Sequence, residues 1–256
     1  MEQIDLTFLD SMFCECDTDE IYFLIVNQTF TGLELFSSSP FIRVINSYEK
    51  GLSISRNLLI ENALGEICLI ADDDVIYKKE LKENILKAYS KFKNADAISF
   101  ALEDIDGNPF YNYPERSIQH TLRSIKGISS VSISFKLNSI KKSQVKFNTL
   151  FGLGSYFPVG EEFIFIKDVL NKGLNVYFKN ITILKHPINS TGKDMKADKI
   201  IHARAALTYK YYKNLAYPWV IKYVIYLVRK KHIQKNKMFY KIKKGFSGIK
   251  KYKELL

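Results

Sequence analysis

The chain has 256 residues, 46% hydrophobic and 25% charged, the composition of a folded protein with a sizeable core rather than a disordered or low-complexity chain. Three cysteines, Cys14, Cys16 and Cys68, form no pattern for a disulfide scaffold or a cysteine zinc site and fit a reducing cytoplasm. The start, MEQIDLTFLDSMF, has no signal-peptide pattern, and no run reaches the roughly 20 apolar residues that span a bilayer, so neither element is expected.

In chain order, Ile21–Val26 and Phe41–Ile45 read as buried strands, being short, apolar and β-branched. Leu52–Leu64 has helical apolar spacing, with Gly65 placed to stop it. Ile67–Ala71 is a third buried strand, ending abruptly at Asp72, and Lys78–Phe92 is an amphipathic helix. Ala97–Leu102 and Val131–Phe135 read as strands, with a turn at Asp106-Gly107. Gly160–Lys172 reads as a helix closed by Gly173, then come short strands at Val176–Phe178 and Ile181–Leu184 and a helix over Asp194–Tyr212. Strands alternating with helices predict an α/β sandwich around a mostly parallel sheet. Residues 1–212 are expected to form one domain and 213–256 a basic helical tail, with the boundary near Asn214–Pro218.

Charge follows the same division. Residues 213–256 carry 13 Lys or Arg and one acid, Glu254, whereas residues 1–212 carry 25 Lys or Arg and 26 acids. The body is nearly neutral and the tail holds the whole excess of the +11 net charge, which points to a polyanionic partner for the tail.

The strongest chemical feature is Asp72-Asp73-Asp74, at the carboxyl end of a buried strand, where open α/β sheets bind ligands. Adjacent carboxylates repel unless a cation neutralises them. In extended backbone Asp72 and Asp74 face the same side, a pair suited to an oxygen-ligated Mg²⁺ or Mn²⁺ that would in turn hold phosphate oxygens. On these residues alone, metal binding and a solvated acidic turn are equally good readings. Upstream, Ser53 or Ser55 could cap the helix that carries Arg56 and Asn57, and a helix N-terminus with an arginine can hold a pyrophosphate. A capped helix with an exposed arginine is the commoner meaning of that pattern.

GLSISRNLLIENALGEICLIADDDVIY resembles the signature of family 2 glycosyltransferases, a small/polar-x-x-Arg-Asn helix followed by Gly-Glu, an apolar strand and Asp-x-Asp. The resemblance implies a single Rossmann-like GT-A domain and a nucleotide-sugar donor, expected to be UDP-linked. By it, Arg56, Asn57, Asp72 and Asp73 belong to the donor site. Asp74, with Asp72, would ligate a divalent ion that stabilises charge on the departing nucleoside diphosphate. A second stretch, FGLGSYFPVGEEFIFIKDVLNKG, resembles the family's acceptor-side segment, a Gly-rich loop followed by Gly-Glu-Asp opening a helix. Here Glu162 stands where the family has Asp. An inverting transferase needs a carboxylate base for the acceptor hydroxyl, which makes Glu162 the candidate base and Glu161 its neighbour on the acceptor. Gly152 and Gly154 either let the loop close over substrates or simply make turns. The resemblance also adds His186 to the metal site, because family members often carry a histidine there. His120, His202 and His232 match no motif and read as surface or packing residues.

Family members usually begin with an apolar strand and a turn that bind the nucleotide. No such strand precedes Ile21, and its loss would remove a central strand and part of the donor pocket. Asp17 and Asp19 have no motif that places them near the base.

The tail is apolar and aromatic over 217–229 and dense in lysine over 230–253. It fits an anionic membrane surface, as expected of a cytoplasmic enzyme peripheral on the inner face of the plasma membrane. It fits equally well an apolar face packed on the body with solvated lysines; nucleic acid ranks lower, with no recognised module beside the lysines. The leading reading is an inverting, metal-dependent glycosyltransferase that moves a sugar to a surface glycan or lipid-linked acceptor. The alternative is a degenerate member that keeps the fold as a binding or partner subunit.

Overall fold

The computed structural model of the chain describes residues 5–187 and 197–256. They fall into two compact units, one from Met1–Lys50, Ile54–Phe147 and Glu162–Ile188, the other from Gly51–Ser53, Asn148–Glu161 and Asn189–Leu256.

The first unit runs α1 (Phe8–Met12), β1 (Phe23–Gln28), β2 (Ile42–Ser47), α2 (Leu52–Asn62), β3 (Ile67–Leu69), β4 (Ile76–Tyr77) and α3 (Leu81–Lys91). It continues through β5 (Ala97–Glu103), β6 (Ile118–Gln119), β7 (Ile133–Lys136), α4 (Leu137–Ser143), α5 (Glu161–Asn171) and β8 (Val176–Lys185). The first residues of α2 and of α5 are counted with the other unit.

Six strands form one sheet in the order β3-β7-β5-β8-β4, with β6 also on β8. Within it only β5 and β8 run parallel; the pairings β3·β7, β5·β7, β4·β8 and β6·β8 are antiparallel. The expectation of a mostly parallel sheet is therefore corrected to a mixed one. A parallel neighbour needs a crossover, usually a helix, and the 104–132 connection from β5 to β7 contains only β6 and short 3₁₀ turns. The two strands expected over 176–184 are one strand, β8. Lys179-Asn180 looks like a break in sequence, but the β5·β8 ladder shifts register opposite it, and the Asn180 amide nitrogens bond Ser117 and the Glu115 carbonyl.

Helices cover both faces of this sheet. On one, Leu81, Ile85, Ala88 and Tyr89 of α3 pack with Ile98, Phe100 and Leu102 of β5. On the other, Ile60 of α2, Ile140 of α4 and Phe165, Ile166 and Val169 of α5 pack with Ile133 and Phe135 of β7. Phe147 and Phe165 stack there at 4.1 Å between ring centroids. The α/β/α sandwich expected from the sequence is present.

β1 and β2 stand apart as a separate parallel pair. Among the described residues no strand lies beside β1 other than β2. A helical segment occupies the neighbourhood instead: Phe13, just after α1, meets Phe23 of β1 edge-on and stacks on Tyr77 of β4, each at 5.0 Å.

The second unit holds α6 (Asp198–Tyr212), α7 (Ala216–Arg229) and α8 (Met238–Glu254); of the helix expected from residue 194, 194–196 lie outside the described residues. α7 buries Ala216, Val220, Val224 and Leu227, and α8 buries Gly245, Gly248, Ile249 and Tyr252. The glycines set the approach. A Cβ on Gly245 would lie 2.4 Å from Val220 Cγ1, and one on Gly248 2.1 Å from the His202 carbonyl oxygen. α8 thus crosses α7 and α6 closer than any larger residue would permit. The basic segment 213–256 is not an appendage cut at residue 212, because α6 packs with α7 and α8 in one unit. Among the described residues no helix is long and apolar enough to cross a membrane.

Candidate active site

The acidic cluster lies just past the carboxyl end of β3, with Ile70 and Ala71 between. Asp72 is held from below. Arg56 Nη2 donates to Asp72 Oδ1 at 3.2 Å and to Ser130 Oγ at 2.8 Å, and its guanidinium lies over the Phe147 ring at 5.4 Å. Arg56 is only 3% exposed. It acts as a buried strut that fixes the Asp72 carboxylate rather than as a surface cation. Asn57 is equally committed: its amide donates to the Phe147 carbonyl at 2.9 Å and its oxygen accepts from the Phe147 N–H at 2.8 Å. Both residues carry intramolecular partners at the positions where the family resemblance implies donor contacts. Neither serine caps α2. Ser53 lies inside the helix, and Ser55 accepts from the Gln28 side-chain amide.

Asp74 stands 47% exposed, with one carboxylate oxygen 3.7 Å from His186 Nε2. The His186 Nδ1 lies 2.7 Å from the Pro187 carbonyl oxygen. That oxygen can only accept, so Nδ1–H donates to it and Nε2 is the ring nitrogen that faces Asp74. Burial raises the Asp74 pKa above the ordinary carboxylate value, and Asp72 and Asp73 raise it further, against the lowering effect of His186. Crowded carboxylates of this kind are relieved by a cation. Among the described residues no three His, Cys, Asp or Glu side chains form a complete metal cluster.

Sequence reading missed the aromatic floor beside this pair. Phe110 packs edge-on against His186 at 5.5 Å and against Tyr111 at 5.2 Å, and Tyr111 against Tyr113 at 6.0 Å. Burial raises the Tyr111 phenol and the charge of Glu162 raises it further, so the two lie within electrostatic reach of each other. The signal was present in sequence as three aromatics within four residues, Phe110 to Tyr113, just after the Asp106-Gly107 turn. Under Asp72 lies a second unread group. Tyr77 is fully buried and its hydroxyl has no hydrogen-bond partner among the described residues; burial raises its pKa, with a further rise from Asp72.

The second unit contains the glycine loop and Glu161. The Leu52 N–H donates to the Leu153 carbonyl at 2.9 Å, and Ser53 Oγ donates to the Phe151 carbonyl at 2.6 Å. Gly152 (φ +106°) and Gly154 (φ +78°) have backbone that other residues rarely adopt. A Cβ on Gly152 would lie 3.1 Å from Ser53 Oγ and 3.4 Å from the Glu161 carboxyl carbon, and one on Gly154 3.2 Å from the Gly51 Cα. Both glycines serve tight turns and close approach in a loop pinned by hydrogen bonds. Glu161 is 7% exposed. His120 and His202 are structural: His120 bonds Ser99 and Ser124, and His202 stacks on Phe157. Asp19 donates its N–H to Asp17 Oδ1, and its carbonyl accepts from Lys82.

A mixed sheet between helical layers, an acidic turn at the end of one strand and acids opening a later helix define a GT-A glycosyltransferase. The sequence profile of Glycosyl transferase family 2 matches residues 32–174, more than half of the chain, and the chain belongs to that family. Among curated proteins, none matches the sequence. The fold is similar to that of TarS from S. aureus. Against TarS 1–349 the TM-score is 0.53 at 13% identity, covering 100% of this chain and 88% of that one. Against a longer TarS structure it is 0.52 at 13% identity, covering 99% and 52%. TarS 1–349 in complex with UDP matches at 0.51 and 12% identity, covering 98% and 86%. Identities this low speak to the fold.

Proposed function

We propose that the chain is an inverting glycosyltransferase that takes its sugar from a UDP-linked donor and passes it to a hydroxyl of a surface glycan or lipid-linked acceptor. The observation that carries this reading is the Asp74–His186 pair beside the Arg56-braced Asp72, with Glu162 within electrostatic reach of Tyr111. The similarity of fold to a TarS structure holding UDP supports a uridine nucleotide as donor.

The crowding of Asp72, Asp73 and Asp74 supports a divalent cation, Mn²⁺ or Mg²⁺, as part of this reading. Asp74 and His186 Nε2 would hold it, with Asp72 alongside, and such ions usually complete their shell with substrate phosphates. When bound, the ion would neutralise charge on the departing diphosphate. The protein's own part is positional. Arg56 keeps Asp72 aimed, and the Nδ1 bond to Pro187 keeps the His186 ring oriented. The Glu162 carboxylate takes the proton of the acceptor hydroxyl as that oxygen attacks the anomeric carbon. Phe110 and Tyr111 offer apolar ring surface beside His186.

Calorimetric titration of UDP with and without Mn²⁺, into the intact protein and an Asp74→Ala variant, tests the donor site. Metal-dependent binding that the variant loses is the expected result. A folded protein that binds no UDP sinks the reading. It would leave the second one, a family member that keeps the fold without catalysis, which the separation of β1–β2 from the main sheet favours.

A further inference from the structure

We infer that the second unit docks the chain on an anionic lipid surface through the outer side of α7 and the basic turn after it. α7 is apolar almost all round. Its inner side buries Val220, Val224 and Leu227, yet Ile221 and Tyr226 are 40% and 45% exposed, and Leu215, just before the helix, is 68% exposed. The only charges in the helix are Lys222 and Arg229, both exposed. They are seven residues apart, two turns along one side, with Tyr226 between them. A solvated helix face does not carry this much apolar surface, and a buried one does not carry two exposed cations. An interfacial helix carries both, with the apolar groups entering the acyl boundary and the cations reaching up to the headgroups.

The turn strengthens the assignment. Lys230, Lys231, Lys235 and Lys237 are all exposed, and the next exposed group, Phe239 at the start of α8, is 74% exposed. No acid lies anywhere between Asp198 and Glu254. Cations alone would serve any polyanion, nucleic acid included. Exposed Ile221, Tyr226 and Phe239 among them match a bilayer, because a phosphate backbone has no use for buried aliphatic area. None of these residues belongs to the acidic site, so the assignment stands independently of the donor chemistry.

Vesicle flotation of the full chain tests it, with phosphatidylcholine alone and with phosphatidylglycerol added. The protein should float with the anionic vesicles only, and less so in high salt. Lys230→Glu with Lys231→Glu should cut partitioning by at least tenfold, about fivefold for each cation removed. Ile221→Ser with Tyr226→Ser should also cut it several-fold at unchanged charge, with circular dichroism unaltered. Absence of flotation on anionic vesicles overturns the assignment. So does an Ile221→Ser/Tyr226→Ser protein that floats like the parent while the chain binds single-stranded RNA through the same lysines.

Discussion

The two sheets of the first unit start from similar sequence and end in different surroundings. β5 (AISFALE) and β1 (FLIVNQ) are both short apolar runs, but β5 is buried along all but its last residue and β1 is half-exposed along all but Asn27. β5 has β7 and β8 on its two sides. Among the described residues β1 pairs with β2 alone, and beyond that ladder the pair has the Asn27–Asn46 amide contact at 2.9 Å, the Gln28–Ser55 bond and the Phe13 ring against Phe23. An apolar run thus specifies a strand, whereas its neighbours decide how much the strand stabilises.

The contrast is broken most easily by truncation. Phe100→Ala in β5, at a side chain 1% exposed, should cost about 3–5 kcal/mol. Ile25→Ala in β1 should cost about 1 kcal/mol, because a half-exposed site leaves a smaller cavity. Urea unfolding reads both, and equal costs would remove the distinction. Amide exchange sharpens it, since β1 and β2 should open at lower free energy than β5.

The next effect concerns the edge that carries the acids. Arg56→Met removes the strut from Asp72 and Ser130 and should cost about 2 kcal/mol, less than a fully buried pair because Asp72 is 31% exposed. Weaker UDP binding should accompany the lower melting temperature. Unchanged UDP binding would show that Asp72 needs no bracing.

Inside the main sheet, His120 is buried against Ser99 of β5, and burial lowers its pKa to about 4. The ordinary value is 6.5, so the unfolded chain takes up a proton first as pH falls. His120 contributes stability that is full above pH 6.5 and lost as pH falls toward about 4, on the order of 3 kcal/mol in all. His120→Gln should flatten that part of the stability–pH curve. The smallest effect is at the junction of the two sheets. Tyr77→Phe removes a buried hydroxyl without a partner among the described residues and should leave stability unchanged or raise it by up to about 1 kcal/mol; a large loss would reveal a bond that the hydroxyl makes.

The legible parts of the sequence were those that act locally. Residues 51–77 announced a helix, a strand and an acidic turn because the motif is contiguous, and Glu161-Glu162 opened α5 as read. Strand direction was not legible, since connections and not side chains decide it. β4 and β6, two residues each, are too short to show a period, and α4 follows β7 without a loop to mark it. The burial of Arg56 was not legible, because its partners, Asp72 and Ser130, lie 16 and 74 residues away. The electrostatic link between Tyr111 and Glu162 was not legible either, because it exists only in the fold.

The most direct test of the account measures UDP affinity and the slow release of UDP from a UDP-sugar side by side, in the parent, Asp74→Ala and Glu162→Gln. Asp74→Ala should lose both binding and turnover. Glu162→Gln should keep UDP affinity and lose turnover by about 10²–10⁴-fold. Turnover undiminished in Glu162→Gln, or UDP affinity undiminished in Asp74→Ala, would contradict the assignment of these carboxylates to proton transfer and to the donor.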